Sequence, residues 1–171
     1  NLPLAQYYLG ILYYQGTVVK YNIQSAIFYF KLAVKNLYQP AYLELGNIYE
    51  TSELMDLSKA VYYYQQGSQL QNALCQYCLA RLYKSGKLGF PDYQKALYYY
   101  KLSADNKFPL AMYELSLLYY EGKFIKQNLF ESKRYSELAA THNVPQAFFN
   151  LGRLHSNYPF LDLKKSLEYF H

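Results

Sequence analysis

The sequence predicts an all-α fold, a right-handed α-solenoid superhelix of about five antiparallel helix pairs, and two interleaved series of small residues predict it. The first series is Gly10, Gly46, Ala80, Ser116 and Gly152, spaced 36, 34, 36 and 36 residues apart. Each follows a leucine: Leu9, Leu45, Leu79, Leu115 and Leu151. Ala5, Ala41, Cys75, Ala111 and Ala147 stand five residues before, and Tyr13, Tyr49, Tyr83, Tyr119 and His155 three after. Counted from the Ala position, offsets of 4, 5 and 8 trace one stripe of an α-helix, the A helix. The second series is Ala26, Ala60, Ala96, Ser132 and Ser166, each followed three residues on by Tyr29, Tyr63, Tyr99, Tyr135 or Tyr169. Small residues recur seven positions on at Ala33, Gly67, Ser103 and Ala139, again one stripe, the B helix. Helices in a tight hairpin approach closely only where side chains are small. Glycine in a helix costs up to ~1 kcal/mol relative to alanine, so its recurrence implies that close packing offsets the loss.

The ends of the elements are legible as well. Asn22, Asp56, Asp92, Asn128 and Asp162 precede the B-helix small residue by four and are N-cap residues by type. Pro3, Pro40, Pro109 and Pro145 open A helices, where the missing N–H has no helical partner to lose. Gly16, Gly86 and Gly122 follow A helices as left-handed caps. A helices are expected near 3–15, 39–51, 73–85, 109–121 and 145–156, and B helices near 22–37, 56–71, 92–106, 128–142 and 162–171. The repeat units fall near 3–38, 39–72, 73–107, 108–143 and 144–171, a single array over 1–171. The start at Asn1 and the absence of a polar capping helix after the last B helix lead us to expect a piece of a longer protein.

The separation between the two signatures is 16 residues for Gly10–Ala26, Ala80–Ala96 and Ser116–Ser132, and 14 for Gly46–Ala60 and Gly152–Ser166. Residues 5–16 read A-QYY-LG-IL-Y-YQ-G and residues 92–104 read D-YQ-KA-LY-YY-KL-SA. These segments resemble Sel-1-like repeats, whose A–B loop is longer than that of the related tetratricopeptide repeats. The loop signature is degraded to Gly16-Thr-Val-Val in the first unit and Gly86-Lys-Leu-Gly in the third. The resemblance implies a scaffold or adaptor that binds proteins. One extracytoplasmic branch of the family is cysteine-rich, and this chain lacks its paired cysteines.

Composition supports a packed helical chain. Apolar residues make up 52% and charged residues 17%, which excludes a solvated disordered chain. There are 24 Tyr and 10 Phe but no Trp, and Tyr both fills an interface and reaches water. No stretch reaches the ~18 apolar residues of a membrane span, so no direct membrane insertion of this segment is expected. Two cysteines, Cys75 and Cys78, are too few for a disulfide framework and favour a reducing, cytoplasmic compartment. Residues 1–72 carry four Lys/Arg and four Asp/Glu, and residues 73–171 carry thirteen and eight. The basic charges are scattered among acids, as on solvated helix faces, so a nucleic-acid-binding repeat array is the lesser alternative. A regulatory module for an enzyme domain outside this segment is another.

No catalytic, cofactor or metal site is expected. Cys75-Gln-Tyr-Cys78 has no second ligand pair, and Cys75 occupies the repeat's Ala position, so both are read as packing residues. His155 takes a Tyr position and reads as core, and Glu44 and Glu50 read as surface acids. The Tyr62–Tyr64 and Tyr98–Tyr100 runs cannot form base-stacking platforms, because successive helical residues diverge by about 100°. Tyr63 and Tyr99 are assigned to the core and their neighbours to the joints between units. The concave A-helix surface is the expected docking site for a protein or peptide. Rotation from the small residues selects Tyr7, Ile11 and Tyr14; Leu43, Asn47 and Glu50; and Tyr77, Arg81 and Lys84. It continues with Tyr113, Leu117 and Tyr120, then Phe149, Arg153 and Ser156. Tyr and Arg are frequent binding hot spots, and Arg81 or Arg153 suits an acidic group.

Overall fold

The computed structural model describes residues 2–157 and 159–170. Among these residues there are ten α-helices and no strand. The A helices are α1 (Leu2–Gln15), α3 (Gln39–Thr51), α5 (Ala73–Ser85), α7 (Pro109–Glu121) and α9 (Pro145–His155). The B helices are α2 (Ile23–Lys35), α4 (Leu57–Gln69), α6 (Tyr93–Asp105), α8 (Leu129–Thr141) and α10 (Leu163–Phe170). The chain divides into two compact units, Asn1–Leu79 and Ala80–His171. In the first, α1 pairs with α2, α2 packs on α3, and α3 pairs with α4. In the second, α6 packs on α7, α7 pairs with α8, α8 packs on α9, and α9 pairs with α10.

Each B helix starts the same way. The side chains of Asn22, Asp56, Asp92, Asn128 and Asp162 accept from the N–H groups of Ser25, Lys59, Lys95, Glu131 and Lys165 at 2.9–3.1 Å. Their own N–H groups donate back to the carbonyls of Tyr13, Tyr49, Tyr83, Tyr119 and His155. One residue therefore caps the B helix and ties it to the end of its A helix. This is why the loop tolerates a two-residue deletion in residues 52–56 without disturbing the hairpin. Gly16, Gly86 and Gly122 take the expected left-handed conformation, at φ 68°, 73° and 64°.

The first two B helices end two residues earlier than expected and the next two end one residue earlier; the end of the last lies against undescribed residues. The cause is a left-handed residue after each: Leu37, Gln71, Lys107 and Asn143, at φ 54–64°. The next N–H reaches back to the third-last residue of the helix, as in Tyr38 to Ala33 O and Phe108 to Ser103 O, while Leu37 and Lys107 donate to Val34 O and Ala104 O. This is a Schellman closure, normally made with glycine. A side chain at such a φ costs roughly 1 kcal/mol. Lys107 is exposed, so Lys107→Gly is expected to stabilise the chain by about 0.5–1 kcal/mol, read as a rise in the thermal midpoint of the circular-dichroism signal.

The small residues work as hairpin contacts. A Cβ on Gly10 would stand 2.6 Å from the Phe30 ring, and one on Gly46 would overlap the Tyr64 ring. Ser132 and Ser166 donate across the same gap to Ser116 O (2.8 Å) and Gly152 O (2.9 Å). Phe30, Tyr64 and Tyr100 are at most 1% exposed. The core aromatics are thus Tyr64 and Tyr100, not Tyr63 and Tyr99. Tyr63 and Tyr99 instead stack on Tyr49 and Tyr83 at 5.7 Å, as Tyr29 does on Tyr13 and Tyr135 on Tyr119. Relative to the small residue, the third position on lies 60° to one side and the fourth 40° to the other, so both flank the buried stripe. Tyr62 and Tyr98 are more than half exposed and fill no joint.

Candidate partner-binding surface

The A-helix candidates lie 40–100° from the buried stripe by helical rotation, which places them on the shoulder between core and solvent. Most are accordingly half-buried. In the first unit they serve the packing. Tyr7 lies against Phe30 and Tyr38 at 5.8 and 5.2 Å, and its hydroxyl donates to Glu44 at 3.4 Å. Burial, and then the Glu44 charge, push the Tyr7 hydroxyl up to about 12. Burial raises the Glu44 carboxyl too, against the opposing Tyr7 hydrogen bond, so Glu44 is not the surface acid the sequence suggests. Tyr14 leans on Tyr21. Tyr77 is half-buried.

Glu50 corrects the sequence reading outright. It is 3% exposed and accepts from the Tyr64 hydroxyl at 3.0 Å. Asn47 accepts from the same hydroxyl at 2.7 Å. Glu50 stands four residues after Gly46, only 40° off the buried stripe, so it points toward α4 and is withdrawn as an exposed contact. Asn47 is partly spent in the same network.

In the second unit a different set converges. Lys84 pairs with Glu114 at 2.7 Å. The Arg153 guanidinium lies over the Tyr120 ring, 3.9 Å from its centroid, and donates to Asn150 Oδ1 at 3.3 Å. Its Nε–H is buried without a hydrogen-bond partner among the described residues. No carboxylate there forms an ion pair with Arg153. Burial raises the Tyr113 hydroxyl, as does Glu114, while the charges of Arg153 and Lys84 oppose it. Phe149, one turn before Arg153, is 60% exposed, and Arg81 is exposed. Ion pairing holds Lys84 to Glu114 and cation–π contact holds Arg153 on Tyr120, and the charges of Lys84, Glu114 and Arg153 all act on the Tyr113 hydroxyl.

Asn150 is the residue that sequence reasoning missed. It is 2% exposed and donates to Ser136 at 2.8 Å and Ser116 at 3.2 Å. Ser136 stands where Phe30, Tyr64 and Tyr100 stand in earlier repeats, and Asn150 donates to its hydroxyl. A serine in a column of aromatics was the available signal. Asn150 in turn anchors Arg153.

Cys75 and Cys78 are free and buried. Burial pushes the Cys75 thiol up, and its sulfur fills the space that a Cβ on Gly67 would take. Such a thiol is a packing group with little thiolate to offer as a nucleophile. His155 is 4% exposed and stacks on Tyr169 at 5.7 Å.

The Sel1-repeat family model matches residues 3–36, 39–72, 73–108 and 109–144. The chain belongs to the Sel1-repeat family. Among solved structures it is similar to c5321, a protective antigen of uropathogenic Escherichia coli with an SLR fold, at 22% identity and TM-score 0.90. That likeness covers 98% of this chain and 37% of the antigen, so the chain spans little more than a third of that protein. A Sel1 repeat protein from Oxalobacter formigenes gives TM-score 0.85 at 22% identity, over 99% of this chain and 71% of that one. Immunity protein PA5088 from Pseudomonas aeruginosa gives TM-score 0.61 at 18% identity, over 99% and 63%. No curated protein matches the chain. The structural likenesses show the all-α solenoid fold class. Sel1 repeats are generally non-catalytic protein-interaction scaffolds. No described helix is long and apolar enough to cross a membrane.

Proposed function

We propose that this Sel1-repeat chain is a non-catalytic adaptor that holds an acidic segment of a partner protein on its A-helix surface, with the contact centred on Arg153. The supporting observation is the state of that arginine: stacked on Tyr120, tethered by Asn150 and paired with no carboxylate among the described residues. A guanidinium already fixed by stacking gives up little side-chain freedom when it takes a carboxylate in a bidentate pair. Exposed Phe149 supplies apolar area beside it, and an aromatic next to an arginine is the usual composition of a hot spot. Lys84 contributes less, because Glu114 already balances it.

The test is affinity capture with the wild-type chain, Arg153→Glu and Phe149→Ala as baits, each checked for unchanged helicity. The partner retained by the wild type is expected to bind Arg153→Glu at least about thirtyfold more weakly and Phe149→Ala several-fold more weakly. Equal recovery on all three baits overturns the assignment.

A further inference from the structure

Two ring contacts join the A–B loops of the second unit into one edge. Phe124, in the loop between α7 and α8, stacks on Tyr93, the first residue of α6, with centroids 3.6 Å apart and planes 4° from parallel. Phe160, in the loop between α9 and α10, meets Phe130 of α8 edge to face at 4.9 Å. Each loop reaches back over the start of the preceding B helix. Phe90, in the loop that leads into Tyr93, extends the series, and the three Phe recur 34 and 36 residues apart.

This edge leaves large apolar side chains in water. Phe90 is 92% exposed, Phe130 68%, Leu161 64% and Phe124 50%. Packing does not require such exposure, and a ring at 92% lines no groove; it protrudes singly. Interleaved with these residues are Lys87, Lys123, Lys126, Lys164 and Lys165, all exposed. The acids of the same stretches are largely engaged. Asp92 and Asp162 cap helices and Glu131 holds Arg134 at 2.7 Å, leaving Glu121 exposed. Counted with Arg134, the five lysines outnumber the four acids Asp92, Glu121, Glu131 and Asp162, so the edge combines protruding rings with a net positive charge.

We propose that this edge docks peripherally on an anionic lipid surface. Phe90, Phe124, Phe130 and Leu161 enter the boundary between headgroups and acyl chains, and the lysines meet the headgroup charge. Protruding rings spread along an edge suit a fluid layer that closes around them, whereas a protein partner needs a complementary cavity for each. No helix enters the bilayer, and the residues involved are separate from Arg153 and its neighbours.

The test is co-sedimentation with phosphatidylcholine vesicles, with and without phosphatidylserine, across a salt series. The chain is expected to bind the phosphatidylserine vesicles and not the neutral ones. Phe90→Ser with Leu161→Ser, two exposed positions, first checked by circular dichroism for wild-type helicity, is expected to weaken partitioning about tenfold or more. Lys123→Glu with Lys126→Glu is expected to weaken binding and flatten its salt dependence. Arg153→Glu should bind vesicles like the wild type, which separates this result from the adaptor reading. Absence of binding to phosphatidylserine vesicles overturns the proposal. So does binding unaffected by the Phe90/Leu161 pair, or displaced by single-stranded RNA with no contribution from those side chains, which would mark a general polyanion surface.

Discussion

Tyr64→Ala is expected to destabilise the chain by about 3–5 kcal/mol, the range for emptying a buried aromatic site. Tyr64 is wholly buried, and its hydroxyl donates to Asn47 and to the buried Glu50. The substitution removes the ring that fills the α3–α4 gap and withdraws a donor from a carboxylate that is 3% exposed. The complementary change is Gly46→Ala. Alanine is the better helix former by up to ~1 kcal/mol, so propensity alone predicts stabilisation. The added Cβ, however, meets the face of the Tyr64 ring, and that ring cannot retreat while Asn47 and Glu50 hold its hydroxyl. Overpacking of this kind costs roughly 1–3 kcal/mol and should win. Urea unfolding followed by circular dichroism measures both. Combining the substitutions should recover part of the Gly46→Ala loss, because the ring it strikes is gone. A neutral or stabilising Gly46→Ala, or strict additivity, contradicts the knob-and-gap account.

The second large effect is alkaline unfolding. Burial raises the hydroxyls of Tyr7, Tyr64, Tyr42, Tyr63, Tyr135 and Tyr169 above the ordinary value near 10, Tyr7 to about 12. These groups keep their protons in the folded chain and lose them in the unfolded one. Their contribution to stability is therefore whole below pH 10 and is lost as pH rises through the folded values. Each tyrosine held protonated only by the fold steepens the decline by up to ~1.4 kcal/mol per pH unit. Several acting together make the loss cooperative. Tyrosine ionisation, followed by absorbance at 295 nm, should contain a steep component that coincides with loss of helicity at 222 nm. A shallow titration centred near pH 10 with helicity intact contradicts the assignment. Tyr64→Phe should blunt the step.

The sequence carries the helices because two physical demands repeat at fixed spacing. Close approach needs a small residue at Gly46 and its equivalents, and the B helix needs a cap at Asp56 and its equivalents. Both demands leave a residue type behind. Other features leave no such mark. The left-handed turns at Leu37, Gln71 and Lys107 hold ordinary side chains, since packing of the following A helix outweighs the local cost. The candidate surface was only partly legible for a geometric reason. Positions one and four after the small residue flank the buried stripe, and what the neighbouring helix presents decides which way each turns. Glu50 turns inward because Tyr64 offers it a hydroxyl. Arg153 stays at the surface because Tyr120 and Asn150 support it there. In the second case that choice depends on a contact across 33 residues of sequence, from Arg153 to Tyr120, which no single repeat displays.

The central claim, that the A-helix surface around Arg153 is where a partner docks, is tested most directly by site-specific photocrosslinking. A photoreactive phenylalanine analogue is placed at Phe149 on α9 and, as a control on the B-helix side, at Phe28, which is similarly exposed at 57% against 60%. The account predicts one dominant crosslinked partner from Phe149, lost on addition of Arg153→Glu, whose crosslinked peptide is rich in Asp and Glu. Crosslinking of the same partner from Phe28 instead, or from Phe149 without dependence on Arg153, contradicts it.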